Sequence, residues 1–571
     1  MQWKKRIAPS QDRISTFALE LSVPQTVAAL LIQRGIEDFH SAKEFFRPEW
    51  THLYDPFKMK DMEPAVVRIQ NAMAQKEKVM IFGDYDVDGT TAVALVSSYL
   101  KDKITEVLPY IPDRYTEGYG ISFKGIDYAH ARGITLIIAL DCGIKAIDQV
   151  AYAHSLGIDF IICDHHLPGL ELPGAVAVLD PKREDCEYPF KELCGCGIGF
   201  KLIQALQYRL GLPEEVLHSY LDLVATAIAA DIVPMVGENR TLTYFGLKRL
   251  REQPRVGLQV FTKELKRSLG VSDLVFVLAP RINAAGRMEQ GLSAVELLMS
   301  TEMETALPIA RSIEFFNSER KSTEGRITEE ALQQIELEEQ HTNSTTVVYH
   351  PSWHKGVIGI VASRLIEHFY RPTIVLTQSN EVLAGSVRSV SGFDVYQALE
   401  ACKETMIQFG GHKYAAGLTL KPEQLTSFKA AFETYVSQHI SPEQKEPSTV
   451  YDLEVSFSEL SPKLYRITSQ MAPFGPNNMR PVFVTHQCRD TGRTRAVGKE
   501  QTHLKFEIKD SFEHHFTGIG FGLAHYLPEI KKQNPFSILY TLEENQFNGQ
   551  VSLQLKVKDL QFKELKNPHE M

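Results

Sequence analysis

Three acids stand within five residues in Asp84-Tyr85-Asp86-Val87-Asp88-Gly89, and Asp141 ends a separate apolar run. An acid and two imidazoles are adjacent at Asp164-His165-His166, and Asp231 closes a further apolar stretch. Carboxylates and imidazoles together suit Mn²⁺, Mg²⁺ or Zn²⁺. A centre with two ions, about 3.5–4 Å apart, needs this many ligands because one acid usually bridges both. Such a centre hydrolyses a phosphodiester with an activated water and needs no protein nucleophile. The candidate metal ligands are Asp84, Asp86, Asp88, Asp141, His165 and Asp231, with His166 turned toward the phosphate and Asp164 orienting a neighbouring histidine. On a tight turn the three acids of DYDVDG are not expected to point the same way, so two are expected as direct ligands with the third behind them. A calcium loop of the EF-hand kind is excluded, because the glutamate that would close it is replaced by Leu95.

For these residues to meet, the chain must deliver them to one place. VMIFGDYD, TLIIALDCG and DFIICDHH each carry an apolar run that ends on an acid, and helical segments such as TTAVALVSSYLKD and IDQVAYAHSLG separate them. That is a β-α-β-α-β pattern with a parallel sheet. Ligands of such sheets sit outside the carboxyl ends of the strands, so Asp84, Asp141 and Asp164 are expected along one edge. FKLIQALQYRLG reads as a helix leading into YLDLVATAIAADIVPM, where Pro234 stops the run after Asp231.

The chain has 571 residues, which at roughly 100–200 residues per domain predicts three or four domains. Residues 1–75 read as a helical lead-in and 76–298 as the catalytic α/β domain. Residues 299–341 read as a charged connecting helix and 342–440 as a smaller α/β domain, with HISPEQKEPSTV as a linker. Residues 450–565 alternate short β-rich runs with turns such as Asn548-Gly549, which predicts a small barrel of the oligonucleotide-binding (OB) type.

Hydrophobic residues at 43% and charged residues at 23% exclude a disordered chain. No signal peptide and no long uncharged apolar run is legible, which predicts a cytoplasmic protein without a membrane segment. Seven cysteines form no zinc-type pair of CxxC motifs, so reduced thiols are expected, Cys194-Gly-Cys196 included. The net charge of −10 excludes an all-over basic coat but leaves room for a local basic groove.

Taken in order, DYDVDG, DCG, DHH and AADIVP resemble the DHH family of phosphoesterases. The longer series VMIFGDYDVDGTTA, IPDRYTEGYGIS, FIICDHH, FVLAPRINAAGRM, WHKGVIGIVASRL, AGSVRS and GGHKYAAG is similar to the branch of that family made of bacterial single-stranded-DNA exonucleases, over roughly residues 50–560. The resemblance implies hydrolysis with two Mn²⁺ or Mg²⁺ ions that releases mononucleotides in the 5′ to 3′ direction, in DNA repair and recombination. It implies a DHH domain, a DHH-associated domain and a C-terminal OB barrel. It also implies His354 as a substrate contact, and as partners single-stranded DNA with a 5′-phosphorylated end, single-stranded-DNA-binding protein and a RecQ-type helicase, with the chain as a monomer. One departure concerns the first motif: relatives that act on pyrophosphate or small nucleotides carry His in place of Asp84 and an acid in place of Thr90. Which acids of DYDVDG are direct ligands therefore stays open.

Cations and small residues elsewhere suit phosphate. A guanidinium fork matches two phosphate oxygens, which makes Arg281, Asn283 and Arg287 of PRINAAGR candidates for the scissile phosphate. Ser386 and Arg388 in GSVRS, Gly411 and His412 in GGHKYAAG, and Arg114 in PDRYTEGYG are candidates for a terminal phosphate. The stretch from Arg489 to Lys509 is basic and contains Phe506, with Phe521 and Phe547 further along, a mixture that holds single strands by charge and stacking. Three functions remain distinct: an exonuclease on single-stranded DNA, a phosphodiesterase for short RNA or cyclic dinucleotides that needs no barrel, and a non-catalytic DNA-binding adaptor. The intact acid and histidine set argues against the last.

Overall fold

The computed structural model describes residues 1–562 except 115, 264, 266–268, 289, 290 and 548. The side chain of Phe547 and residue Asn548, both named above, lie outside the described residues, as does the end of the barrel segment after 562. The chain divides into two compact units, Trp50–Lys445 and Met1–Glu49 with Glu446–Met571. The first 75 residues are thus shared between both.

In the larger unit, β1 (Lys78–Gly83), β2 (Glu106–Tyr110), β3 (Leu136–Leu140), β4 (Asp159–Cys163) and β5 (Ala177–Leu179) form an all-parallel sheet in the order β2-β1-β3-β4-β5. Side chains of β1, β3 and β4 alternate between two separate cores. Ile81, Ile138 and Ile161 pack into one and Met80, Ile137 and Ile162 into the other, all fully buried. Burial of each such side chain contributes about 1.5–3 kcal/mol, which is why these strands read as unbroken apolar runs rather than alternating ones. The edge strand β2 is half-buried throughout and contains Pro109, so it lacks the apolar run that marks the others.

Helices α1 (Val87–Leu100), α2 (Phe123–Ala131) and α3 (Ile147–Ser155) connect the strands. Beyond the sheet, α4 (Gly195–Arg209) and α5 (Leu221–Ala230) are buried on nearly every side, and α6 (Ala279–Met288) packs against the 35-residue α7 (Met303–Leu337). At 1.5 Å per residue α7 is about 50 Å long. It leads to a second sheet of β6 (Thr346–Tyr349), β7 (Thr373–Ser379), β8 (Val382–Arg388), β9 (Gln408–His412) and β10 (Ala415–Leu420), in the order β9-β10-β8-β7-β6. Only β6 and β7 are parallel. The glycine-rich GGHKYAAG stretch is not a loose turn. It is a hairpin in which Gly410 faces Gly417 across a two-residue connection.

In the smaller unit, β11 (Phe483–Asp490), β12 (Arg495–Val497), β13 (His503–Lys509), β14 (His515–Gly520), β15 (Phe536–Phe547) and β16 (Gln550–Phe562) run in the order β11-β15-β16-β14-β13-β12. Strand β13 pairs back onto β11, which closes a five-stranded barrel. Its interior shares one core with helices from the first 49 residues, including the fully buried Leu30 and Leu31. No single helix among the described residues is long and apolar enough to cross a membrane.

Candidate metal centre and substrate cavities

The strand ends place the acids. Asp84 follows β1, Asp86 caps the N-terminus of α1, and its carboxylate accepts a hydrogen bond from the Gly89 N–H at 3.1 Å. A Cβ on Gly89 would come within 2.4 Å of the Asp84 carbonyl oxygen, so only glycine permits this turn. Asp88 lies in the first turn of α1, fully buried, and its carboxylate accepts from the N–H groups of Gly195 (2.6 Å) and Cys196 (2.8 Å) at the start of α4. Asp141 follows β3 with φ of 60°, a left-handed conformation that a non-glycine residue adopts at some cost. A Cβ on Gly195 would lie 2.5 Å from the Asp141 Cβ.

These elements bring together all the expected ligands. Ligand atoms of Asp84, Asp86 and Asp141 lie within 4.8 Å of one another, and so do those of Asp88, His165 and Asp231 and those of Asp141, His165 and His166. Asp141 is shared between groups, and His165 Nε2 is 3.1 Å from it, 3.6 Å from Asp231 and 3.8 Å from Asp88. The three acids of DYDVDG do not exclude one another: each offers an oxygen to one group, because the helix start turns Asp88 away from the loop that carries Asp84 and Asp86.

Both carboxylate oxygens of Asp84, one of Asp141 and one of Asp231 are buried without a hydrogen bond. Burial, followed by the charges of neighbouring acids, pushes Asp84 and Asp141 well above the usual carboxylate range and Asp231 up to about 8. Burial lowers His165 to about 4, which leaves a neutral imidazole with a lone pair to give. Orphaned acid oxygens and one neutral imidazole fit Mn²⁺ or Mg²⁺. A divalent cation supplies the positive charge that these crowded acids lack.

Asp164 is not aimed at the acids. Its carboxylate accepts from the N–H groups of Ile144 (2.9 Å) and His165 (2.8 Å) and contacts His166 Nδ1 at 2.7 Å. Burial opposes charge on His166, yet the hydrogen bond to Asp164 and the charges of Asp164, Asp231 and Asp88 together raise its pKa. The other ring nitrogen, Nε2, lies 3.2 Å from the Tyr119 hydroxyl.

Beside this centre is a cavity of about 770 Å³ lined by Arg114, Arg287, Lys355, Ser386 and Arg388, with no acid among its lining residues. Arg287 is lowered to about 10 by burial and then by the charges of Arg114, Arg320 and Arg388. Arg388 reaches the Ser386 hydroxyl at 3.2 Å, and Arg114 lies 5.0 Å over the Tyr85 ring. Four cations around one void form a site for an anion. His354 stands next to Lys355, and burial and then the charge of Arg114 lower its pKa.

Several expected contacts lie elsewhere. Arg281 does not face the cavity: its guanidinium holds Glu314 of α7 at 2.6 Å and the Val277 carbonyl at 2.8 Å, and it lies over Phe261. Six residues on a helix turn the chain by about 240°, so Arg281 and Arg287 cannot share a face. Asn283, half-buried on the same helix, lines neither cavity. Gly411 and His412 line a second cavity of about 720 Å³, which shares Tyr119 and Gly410 with the first. Phe506 points into the barrel core with no exposed surface and cannot stack on a base. Phe521 is 58% exposed beside His503, and Arg495 pairs directly across from Lys505, a local cationic spot on the barrel wall. All seven cysteines are buried free thiols.

Sequence reasoning missed Tyr119, Lys355 and the backbone donors of Gly195 and Cys196. The last two have no side-chain signal at all, since every residue but proline carries an N–H. Tyr119 lies in the loop PDRYTEGYG beside Arg114, but only proximity to His166 reveals it.

Comparison with known proteins follows the same divisions. Residues 78–228 match the model of the DHH family N-terminal domain, 342–438 the DHHA1 domain and 451–559 the RecJ OB domain. The chain is 37% identical over 567 residues to the single-stranded-DNA-specific exonuclease RecJ of Bacillus subtilis (strain 168), covering 98% of this chain and 70% of that protein. It is 33% identical over 575 residues to the exonuclease of the same name from Escherichia coli (strain K12), covering 95% and 97%. Among solved structures, RecJ of Thermus thermophilus in complex with Mn²⁺ superposes with a TM-score of 0.84 at 26% identity, covering 99% of this chain and 80% of that one. Its complex with Mg²⁺ gives 0.78 at 25% identity, covering 99% and 79%.

Proposed function

The chain belongs to the RecJ family of single-stranded-DNA-specific exonucleases, within the DHH phosphoesterases, and on that premise we propose that it is a metal-dependent exonuclease that removes mononucleotides from the 5′-phosphorylated end of single-stranded DNA. One observation carries the polarity: a buried acid and histidine centre stands beside a cavity whose charged lining residues are all cations. The cations hold a terminal 5′-phosphate in that cavity while the next phosphodiester reaches the centre. An exonuclease working from the other end would place a neutral 3′-hydroxyl there.

Two Mn²⁺ or Mg²⁺ ions held by Asp84, Asp86, Asp88, Asp141, His165 and Asp231 would supply an activated water and neutralise charge at phosphorus. Asp141 and His165 each belong to two of the three ligand groups. Asp164 fixes His166 through Nδ1, so that Nε2 donates to a non-bridging oxygen of the scissile phosphate. Arg114, Arg287 and Arg388 hold the terminal phosphate with Lys355, Ser386 supplies a hydroxyl, and Tyr85 braces Arg114. Arg495, Lys505 and Phe521 of the barrel hold the trailing strand. Because the substrate is a free single strand, a RecQ-type helicase that opens duplex ends and single-stranded-DNA-binding protein that coats them are its partners in DNA repair and recombination. The chain works as a cytoplasmic monomer.

The reading is tested with single strands bearing a 5′-phosphate or a 5′-hydroxyl. The wild type is expected to prefer the phosphorylated strand at least about tenfold, and Arg388→Ala to lose most of that preference by a rise in KM. Equal turnover of both strands by the wild type contradicts the assignment of the arginine cavity.

A further inference from the structure

The proposed function leaves the second cavity without an occupant. At about 720 Å³ it lies within the range that encloses a small organic ligand, roughly 300–1,000 Å³. Its lining differs in kind from that of the arginine cavity. Ile121, Ile144 and Leu167 make aliphatic walls, and Lys145 and Gln149 stand among them. Neither the Lys145 nor the Gln149 side chain makes a hydrogen bond or ion pair with the described residues. Leu167, directly after the histidine pair, is 65% exposed.

The two cavities meet at one partition. Tyr119 and Gly410 line both, whereas His166 and Asp164 line only the second. The Tyr119 ring is 58% exposed and its hydroxyl is 3.2 Å from His166 Nε2. A strand whose terminal phosphate sits among the arginines and whose scissile phosphate sits at His166 must continue on the far side of that histidine.

We infer that the second cavity is a nucleoside subsite that takes the base and deoxyribose of the second nucleotide, the one whose 5′-phosphate is attacked. The inference rests on the exonuclease reading. The aliphatic walls cover the faces of the base, the Gln149 amide offers one donor and one acceptor to its edge, and Lys145 meets the following phosphate. Tyr119 stands between the first and second bases, so they cannot stack on each other. The strand is splayed at the scissile bond.

The test measures release of the first nucleotide in one turnover from three 5′-phosphorylated decamers: unmodified, abasic at the second nucleotide, and abasic at the sixth. The enzymes are the full-length wild type with Mn²⁺ and the variant Leu167→Glu, whose exposed site leaves the fold undisturbed. In the wild type the second-position lesion is expected to slow release about tenfold and the sixth-position lesion not at all. Leu167→Glu is expected to slow the unmodified strand about tenfold, to add nothing further when the second base is absent, and to keep the preference for a 5′-phosphate. Undiminished release from the strand lacking its second base overturns the inference, as does a variant whose loss multiplies with that of the lesion. If the wild type degrades none of the strands, the exonuclease reading falls, and the inference with it.

Discussion

At the scale of residues, the centre is held together by groups that repel one another. Asp84, Asp88, Asp141 and Asp231 are all raised, first by burial, and the charge of Asp86 adds to the rise at each of them. Asp231 moves from an ordinary value of about 3.9 to about 8, so between those values the folded metal-free chain keeps a proton that the unfolded chain releases. Stability of the metal-free protein therefore falls as pH rises through that window and levels off above it. Cations replace those protons, so Mn²⁺ is expected to raise the melting temperature more at about pH 9 than at about pH 5. Thermal melts in a chelator and in Mn²⁺ across that range check this, and an increment independent of pH contradicts it. Asp141→Ala is expected to abolish hydrolysis while strand binding survives, because the cations that grip DNA lie elsewhere; turnover equal to the wild type in Mn²⁺ would remove the metal assignment. Asp164→Asn is expected to cost about 10–100-fold in kcat, since it holds His166 rather than a cation. That these acids and histidines come together was legible because such residue types are rare in apolar runs. The lining of the arginine cavity was half legible: Arg287 and Arg388 reach it, but Arg281 shares its motif with Arg287 and faces Glu314 instead.

At the scale of elements, three strands and two helix starts do the positioning. Strands β1, β3 and β4 were readable from apolar runs that end on acids, and the parallel sheet followed. The start of α4 was not, because what matters there is two backbone N–H groups and the space left by Gly195. Gly195→Ala is expected to force Asp141 or Asp88 aside, lowering stability by about 1–3 kcal/mol and weakening Mn²⁺ binding. Mn²⁺ titration followed by electron paramagnetic resonance measures the second effect separately from folding. Unchanged affinity in the folded variant would show that α4 does not set the centre. The hairpin of β9 and β10 was not legible for a related reason: its glycines allow close approach between strands and carry no alternating side-chain pattern.

At the scale of the whole molecule, the division between binding and chemistry is covalently interleaved. The first 49 residues share a core with the barrel, so removing only the C-terminal residues would strip that core from the helices that remain. A fragment of residues 50–445 keeps its own cores and the complete acid set. It is expected to fold, to cleave short 5′-phosphorylated strands near the wild-type rate, and to lose affinity for long ones. Full affinity in the fragment would deny the barrel its part in substrate grip. Hydrolysis from a 5′-phosphorylated single-stranded end is measured by digesting one oligonucleotide in Mn²⁺ with the label placed in turn on its first and its last nucleotide. The first-nucleotide label is expected to appear at once as a mononucleotide while the last-nucleotide label stays in a shortening strand. Immediate release of the last nucleotide, or a ladder of internal cuts, would contradict it.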